Sequence, residues 1–185
     1  MRVIAGTARS LPLETPEGMD TRPTTDRIKE TLFNMLSGRL PGSRFLDLFA
    51  GSGAIGIEAL SRGAACAVFV EQDGRALRCI RRNLDFTHLT QRAKVLAGSV
   101  QTALAGLEVR NERPFDIIFL DPPYGKQWER QVLETLIKSR LMDADTLVIV
   151  EASLDTDFSW TKDMRLTIQK EKKYKTNQHI WLRKE

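Results

Sequence analysis

The sequence predicts an α/β fold in which a mostly parallel sheet carries helices on both faces. Between residues 44 and 153, short runs rich in β-branched and apolar residues alternate with longer helical stretches. The short runs are apolar at nearly every position, as strands buried on both faces are. The chain has 185 residues, 42% of them hydrophobic, which suits one core. We therefore predict a single domain, with an extension over 1–43 and a core over 44–185.

The extension is expected to form a hairpin followed by a helix. The first residues, "MRVIAGTARSLPL", are compatible with a short hairpin. In "RPTTDRIKETLFNML", apolar residues recur at helical spacing at Ile28, Leu32, Met35 and Leu36. Thr24 or Thr25 is a suitable N-cap for that helix.

The core elements are expected in strand–helix order. The predicted strands are "RFLDLFAG", "ACAVFVE", "AKVLAGS", "FDIIFLD" and "TLVIVEAS". The predicted helices are "AIGIEALSRG", "DGRALRCIRRNLDF" and "QWERQVLETLIKS". The last segments, "RLTIQKEKKY" and "NQHIWLRK", read as two strands joined by a turn near Asn177. Such a pair most simply adds an antiparallel edge to the sheet.

Charge and composition narrow the class of protein. The net charge is +4, but residues 160–185 alone hold eight Lys/Arg against three Asp/Glu. This favours a patch that faces a polyanion, although a hairpin kept soluble by lysines explains it equally well. No apolar stretch approaches the roughly 20 residues that span a bilayer, and the N-terminus does not resemble a secretory signal. We expect a cytoplasmic monomer that binds no membrane.

Cysteine and histidine spacing gives no sign of a disulfide framework or a metal site. Two cysteines, Cys66 and Cys79, are too few for a framework, and we expect buried, reduced thiols. His88 and His179 lie far apart in the sequence and neither has ligand-like spacing to a cysteine. We therefore expect no metal.

A glycine loop follows the first predicted core strand. In "LDLFAGSGAIG", small residues at Ala50, Gly51, Ser52 and Gly53 let the backbone turn tightly and let a ligand approach. The helix that follows presents amides that can hold an anionic group. "GSGAIG" also matches the dinucleotide fingerprint, which by itself is weak evidence.

Two acids favour a particular ligand for this loop. Glu71 ends the second strand, where a carboxylate accepts both ribose hydroxyls of a nucleoside. This fits a nicotinamide cofactor or S-adenosylmethionine equally. Asp47 lies in the strand just before the loop; it would repel a pyrophosphate but attract the amino group of a methionine moiety. The combination favours S-adenosylmethionine over a dinucleotide.

The segment "LDPPY" raises the question of why a buried strand ends in an acid, two prolines and an aromatic ring. Alone, it is as compatible with a rigid turn as with a site. It follows the fourth strand, however, and strand ends of such a sheet face the ligand crevice. Asp121 and the carbonyl of Pro122 can accept the N–H groups of a nucleobase amino group, and the fixed φ of Pro122 and Pro123 keeps them rigid. Tyr124 offers a ring on which the base can stack.

The chain resembles the RsmD family, bacterial methyltransferases of a guanine amino group (N2) in small-subunit 16S ribosomal RNA. The resemblance rests on "FLDLFAGSGAIGIEALSRGA", "FVEQD" and "FLDPPY", with "RVIAGTARSLPL" and "RPTTDRIKETLFNML" before them. It implies a Rossmann-like, seven-stranded S-adenosylmethionine-dependent methyltransferase fold with an N-terminal hairpin. The cofactor-binding residues it implies are Asp47, Ala50, Gly51, Ser52, Gly53, Glu71, Gln72 and Ser99. It places the catalytic loop at Asp121, Pro122, Pro123 and Tyr124, and it places Arg22 and Thr24 near the substrate. Lys126, beside that loop, is a further candidate for substrate binding because its charge suits an RNA phosphate.

One position departs from the family pattern, and two other functions stay open. The family usually carries an acid after the third strand, near the adenine, where this chain has Ser99. A hydroxyl can still bond the adenine amino group, so weaker donor binding is expected rather than loss of activity.

The expected partner is ribosomal RNA or the assembling small subunit. The alternatives are amino-group methylation of adenine in DNA or another RNA, and a non-catalytic RNA-binding protein.

Overall fold

A computed structural model describes residues 1–16, 25–125 and 127–185 of the chain. The described helices are α1 (Asp26–Leu36), α2 (Ala54–Ser61), α3 (Gly74–Phe86), α4 (Val100–Val109) and α5 (Trp128–Leu136). The strands are β1 (Arg44–Leu48), β2 (Cys66–Glu71), β3 (Ala93–Ala97), β4 (Ile117–Leu120), β5 (Leu147–Ser153), β6 (Leu166–Lys173) and β7 (Asn177–Lys184). Short 3-10 helices lie over Thr90–Arg92 and Ser159–Met164.

The strands form one seven-stranded sheet in the order β3-β2-β1-β4-β5-β7-β6. The first five strands in this order are parallel, and β7 runs antiparallel to both β5 and β6. The predicted fold class, with its C-terminal antiparallel hairpin, is confirmed. The chain reverses just before Asn177, which is the first residue of β7.

Helices cover both faces of the sheet, as the apolar strands require. On one face, α1, α2 and α3 pack on residues such as Phe45, Phe69 and Phe119. On the other face, α4 and α5 pack on the alternate residues, including Leu46 and Ile118. Successive side chains of a strand point to opposite faces, so alternate residues of each strand pack against different helices.

Helix α4 was not predicted from the sequence. Its residues, "VQTALAGLEV", include Gly106 and several small side chains, which give only a narrow apolar stripe. Its buried side chains are Val100, Ala103, Leu104 and Leu107. Tertiary packing on the sheet, rather than a strong helical pattern, therefore accounts for this helix.

The N-terminal segment is fastened to α2 by a buried carboxylate. Arg2 and Pro12 form an isolated antiparallel bridge, so the predicted hairpin exists in minimal form. Glu58 accepts hydrogen bonds from the amides of Ile4 (2.8 Å) and Ala5 (3.0 Å). Its Oε2 also lies 3.4 Å from Nζ of Lys29, and both side chains are fully buried. Burial lowers the pKa of Lys29, and the charge of Glu58 opposes that effect.

Helix α1 begins where the sequence indicated. Thr25 is the N-cap, and its hydroxyl accepts a hydrogen bond from the amide of Ile28. The buried face differs from the predicted one, because Lys29 and Phe33 are buried with Leu32 and Leu36. The alternative cap, Thr24, lies outside the described residues. Within the described parts of the chain, no helix is long and apolar enough to cross a bilayer.

Candidate active site

The glycine loop between β1 and α2 turns sharply along the carboxyl edge of the sheet. Phe49, Gly51 and Gly53 all have positive φ, at 64°, 55° and 78°. The amide of Ala50 donates to the carbonyl of Val70 at 2.9 Å, which ties the loop to β2. A Cβ placed on Gly51 would have no atom within 4 Å, so the loop leaves open space beside its backbone. A ligand can therefore approach the main chain there, as the sequence predicts.

Asp47 lies beneath this loop and caps α2. The N-cap residue, Gly53, has no side chain, and Oδ2 of Asp47 accepts the amide of Gly56 at 2.9 Å in its place. Asp47 is only 2% exposed. Burial raises its pKa to about 7, the charge of Glu71 adds to this, and the hydrogen bond from Gly56 opposes it. A cation near Asp47 would restore its ionised form, which is compatible with a ligand ammonium or sulfonium group.

Glu71 joins the end of β2 to the glycine loop. Its Oε2 accepts the amide of Gly51 at 2.8 Å, and its Oε1 accepts those of Gln72 and Asp73 at 2.7 and 2.9 Å. The carboxylate is thereby fixed at the rim of the crevice while Gln72 stays exposed. Oε2 keeps one further lone pair for a ribose hydroxyl, whereas both lone pairs of Oε1 are taken by the two amides. These residues and the open face of Gly51 fit the adenosine part of S-adenosylmethionine.

The remaining predicted donor contact, Ser99, is the N-cap of α4. Its hydroxyl accepts the amide of Thr102 at 3.2 Å and lies 2.9 Å from the Thr102 hydroxyl. Its role toward adenine stays a prediction, since the same oxygen already serves the helix. Ser52 is buried in the glycine loop, and its carbonyl accepts Nδ2 of Asn83 at 2.9 Å.

The Asp-Pro-Pro-Tyr segment begins directly after β4, next to the glycine loop. The amide of Asp121 donates to the carbonyl of Leu48 at 3.5 Å, across to the end of β1. Pro122 is buried, whereas Pro123 and Tyr124 are exposed, Tyr124 by 50%. Burial raises the pKa of the Tyr124 hydroxyl to about 12, and the charges of Glu151 and Asp121 add to it. Tyr124 therefore presents a neutral ring on which a base can stack.

Four neighbouring strands each contribute one carboxylate to the same face of the sheet. The register pairs Asp47 with Phe69 and with Phe119, and Phe119 with Ile149. Two residues beyond these partners lie Glu71, Asp121 and Glu151, which share their face because side chains alternate. Burial holds the pKa of Asp121 well above its ordinary value, and the nearby charges of Glu151 and Asp47 raise it further. The row therefore lines this edge of the sheet with four carboxyl groups, two of which bind a proton more tightly than an ordinary aspartate does.

Two groups at this edge were not predicted from the sequence. Glu151 accepts a hydrogen bond from Asn177 and lies 3.0 Å from Nε2 of the fully buried His179. Asn83 binds both backbone groups of Glu14, through Oδ1 at 2.8 Å and Nδ2 at 3.0 Å. Only "VIVEAS", with an acid near the end of an apolar strand, signals Glu151. Nothing local signals the contacts of Asn83 to the backbone of Glu14 and Ser52, because both residues are distant in sequence.

The predicted substrate residues Arg22, Thr24 and Lys126 lie outside the described residues. Among the residues described, no cluster of three or more His, Cys, Asp or Glu side chains could hold a metal ion.

Both cysteines are free thiols, Cys79 buried and Cys66 half-buried. The expectation of two buried thiols is therefore right for Cys79 alone.

The fold and the site together define the class, a Rossmann-like methyltransferase. A structure named putative methyltransferase yhhF from Escherichia coli is similar, with a TM-score of 0.84, 31% identity and coverage of 100% of this chain and 98% of that one. A putative RNA methyltransferase of Pyrococcus horikoshii shares the fold at a TM-score of 0.74 and 18% identity, over 93% and 92%. A further neighbour, SMU.776, was solved in complex with SAH; it has a TM-score of 0.67 and 16% identity, over 84% of this chain and 49% of that one.

The family is shown by sequence. The family described as conserved hypothetical protein 95 matches residues 1–183, and the chain belongs to it. The putative rRNA methyltransferase YlbH of Bacillus subtilis is 39% identical over 161 residues, 87% of each chain. The ribosomal RNA small subunit methyltransferase D of Haemophilus influenzae is 37% identical over 168 residues, 87% of this chain and 85% of that one. These findings confirm the RsmD resemblance and the prediction of an enzyme of the methyltransferase class.

Proposed function

We propose that this chain methylates the exocyclic amino group, N2, of a guanine in small-subunit ribosomal RNA, with S-adenosylmethionine as donor. One observation carries the proposal: the Asp121–Tyr124 loop lies directly beside the glycine loop, joined to β1 through Leu48. The acceptor platform and the donor loop therefore face one crevice. The names of the relatives support ribosomal RNA as substrate, and the family resemblance supports guanine.

The residues have separate tasks in this reaction. When bound, S-adenosylmethionine supplies an electrophilic methyl group. Glu71 and the open backbone at Gly51 hold its adenosine end, and Asp47 attracts its cationic end. An amino group conjugated to a base is a poor nucleophile, so its lone pair must be turned toward the methyl carbon. Asp121 and the Pro122 carbonyl accept its N–H groups, and Tyr124 stacks the ring.

The two prolines make this platform rigid. Neither proline carries an N–H. The backbone of these two residues can therefore only accept hydrogen bonds, which suits the N–H groups of the substrate amino group. Pro122 is anchored by burial, while Pro123 and Tyr124 project into the open. Catalysis would then come chiefly from positioning and from hydrogen bonds that strengthen as the nitrogen becomes positive.

A methyl-transfer assay with labelled donor tests the proposal. Naked 16S RNA transcript, reconstituted small subunits and duplex DNA are compared, and the modified base is identified by nucleoside mass spectrometry. We expect N2-methylguanosine in RNA or subunits and none in DNA. Incorporation into adenine, or into DNA alone, would contradict the proposal and favour the adenine alternative. Donor binding without incorporation anywhere would favour a non-catalytic RNA-binding protein.

A further inference from the structure

Behind the catalytic loop lies a polar cluster that the proposed reaction does not yet use. Glu151 on β5 is 4% exposed, and its register partner on β7, His179, is fully buried. Asn177 donates to Oε1 of Glu151, and Nε2 of His179 lies 3.0 Å from Oε2. Both oxygens of Glu151 are therefore engaged.

The cluster also fixes the imidazole. The hydroxyl of Tyr174 lies 3.4 Å from Nδ1 of His179, and the two rings meet edge to face with centroids 5.0 Å apart. Phe119 packs against the imidazole in the same way, at 6.0 Å. With Tyr174 donating to Nδ1, the proton of a neutral imidazole resides on Nε2 and points to Glu151.

This fixed carboxylate adjoins the catalytic loop. β4 and β5 pair Leu120 with Val150, so Asp121 and Glu151 occupy the next rung of neighbouring strands. Paired strands lie about 4.8 Å apart, and both side chains are on the same face. At this separation the charge of Glu151 disfavours ionisation of Asp121.

We propose that Glu151, held by His179, is a positioning residue whose negative charge makes Asp121 the acceptor of the proton lost by the substrate. The inference rests on the proposed function. On methylation the amino lone pair forms the N–C bond, and the electron pair of the broken C–S bond remains on sulfur. An N–H bond then breaks, its electrons stay on nitrogen, and the proton passes to the Asp121 carboxylate.

The charge of Glu151 matters because it changes how strongly Asp121 binds a proton. The pKa of Asp121 is raised by burial first and then by Glu151 and Asp47. A carboxylate with a raised pKa takes up a proton more readily near neutral pH. The groups that face this pair from surrounding elements are Asp47, Tyr124, Tyr174 and His179, with the exposed Lys172 opposite His179 on β6.

Single-turnover methyl transfer to RNA, measured between pH 5 and 9, tests the inference. In Glu151→Gln the plateau rate should fall about tenfold or more. The acid limb of the profile, where the rate falls as pH decreases, should move to lower pH. Without the like charge of Glu151, Asp121 remains ionised down to a lower pH. Glu151→Asp keeps the charge and should keep the limb. His179→Gln keeps the charge of Glu151 but removes the group that holds it. The rate of this variant should fall, and its acid limb should not move to lower pH.

The matched control is Glu58→Gln, which neutralises another buried, paired carboxylate that is not among the charges acting on Asp121. It should lower the melting temperature and leave the acid limb unmoved. Calorimetry with S-adenosylhomocysteine should show donor-site affinity within about threefold for every variant. A nitrogen-edited NMR spectrum gives a readout without turnover: the wild-type chain, with two histidines, should show one protected imidazole Nε2 proton.

Each outcome decides between the claims. A wild-type chain that transfers methyl to RNA, with a Glu151→Gln limb that does not move, overturns this inference and leaves the proposed function standing. An absent Nε2 proton overturns it as well. A wild-type chain that methylates no RNA overturns the proposed function and this inference with it.

Discussion

At the scale of single residues, the proposed function gives Asp121 a task separate from donor binding. Asp121 follows β4 directly and is proposed to accept from the substrate amino group, whereas Glu71, bonded to the glycine loop, is proposed to hold the donor. Asp121→Ala should therefore lower the turnover number by about 10²–10³-fold, since it removes an acceptor that strengthens as the nitrogen becomes positive. Affinity for S-adenosylhomocysteine, measured by calorimetry, should stay nearly constant. A parallel loss of donor affinity would assign Asp121 to the cofactor instead.

Asp47 should make stability depend on pH in an unusual direction. Its pKa rises to about 7 in the folded chain, from an ordinary 3.8. Between these values the folded state binds more protons than the unfolded one, so the free energy of unfolding falls as pH rises. Asp47→Asn removes this dependence and should raise that free energy by about 1–3 kcal/mol at pH 7.5.

Urea titrations at pH 5 and pH 7.5 measure this effect. The difference between Asp47→Asn and the wild-type chain should be smaller at pH 5 than at pH 7.5, because pH 5 lies between the two pKa values. The same variant should bind S-adenosylmethionine more weakly, because it no longer attracts the cationic end. Equal stability differences at both pH values would show that Asp47 is ionised in the folded chain already at pH 5.

At the scale of elements, two helical glycines should respond to alanine with opposite signs. A Cβ on Gly56 in α2 would lie 2.3 Å from the buried Phe69 ring, whereas one on Gly106 in α4 would meet nothing within 4 Å. Gly56→Ala should cost about 1–3 kcal/mol through overpacking. Gly106→Ala should gain about 0.5–1 kcal/mol through helix propensity.

Thermal unfolding and donor binding check this pair. Because the amide of Gly56 donates to Asp47, Gly56→Ala should also weaken donor binding, while Gly106→Ala leaves it unchanged. A stable Gly56→Ala variant with full donor affinity would mean that α2 can shift from the sheet without disturbing the glycine loop.

The features that could be predicted from the sequence are those encoded locally. The glycine loop and the Asp121–Tyr124 loop each lie within one short segment, and the strands around them are continuous apolar runs. The pair Glu151 and His179 could not be predicted, because it depends on β7 lying beside β5, a strand order that periodicity does not reveal. Lys29 was equally hidden: a lysine in an amphipathic helix is ordinarily exposed, and its partner Glu58 lies on another element.

At the scale of the whole molecule, the placement of charge relative to the crevice should govern RNA affinity. The turn between β6 and β7 reaches the carboxyl edge of the sheet, since Ser153 at the end of β5 pairs with Asn177. Three exposed lysines lie on this edge: Lys172, Lys173 and Lys175. Three exposed basic residues lie at the opposite edge, after α4 and α5: Arg110, Arg113 and Lys138. Of these two sets, the first lies on the edge of the sheet that carries Asp121–Tyr124.

Replacing either set by glutamine changes the net charge by the same amount, so the comparison isolates position. If the lysines at the β6–β7 turn contact phosphates, their loss should reduce the slope of log Kd against log salt by about 2. The single-turnover rate at saturating RNA should stay constant, because phosphate contacts position the substrate without taking part in the chemistry. The set at the opposite edge should change the slope little. Equal changes from both sets would mean that RNA responds to net charge alone, and that the basic C-terminal hairpin is a solvated edge of the sheet.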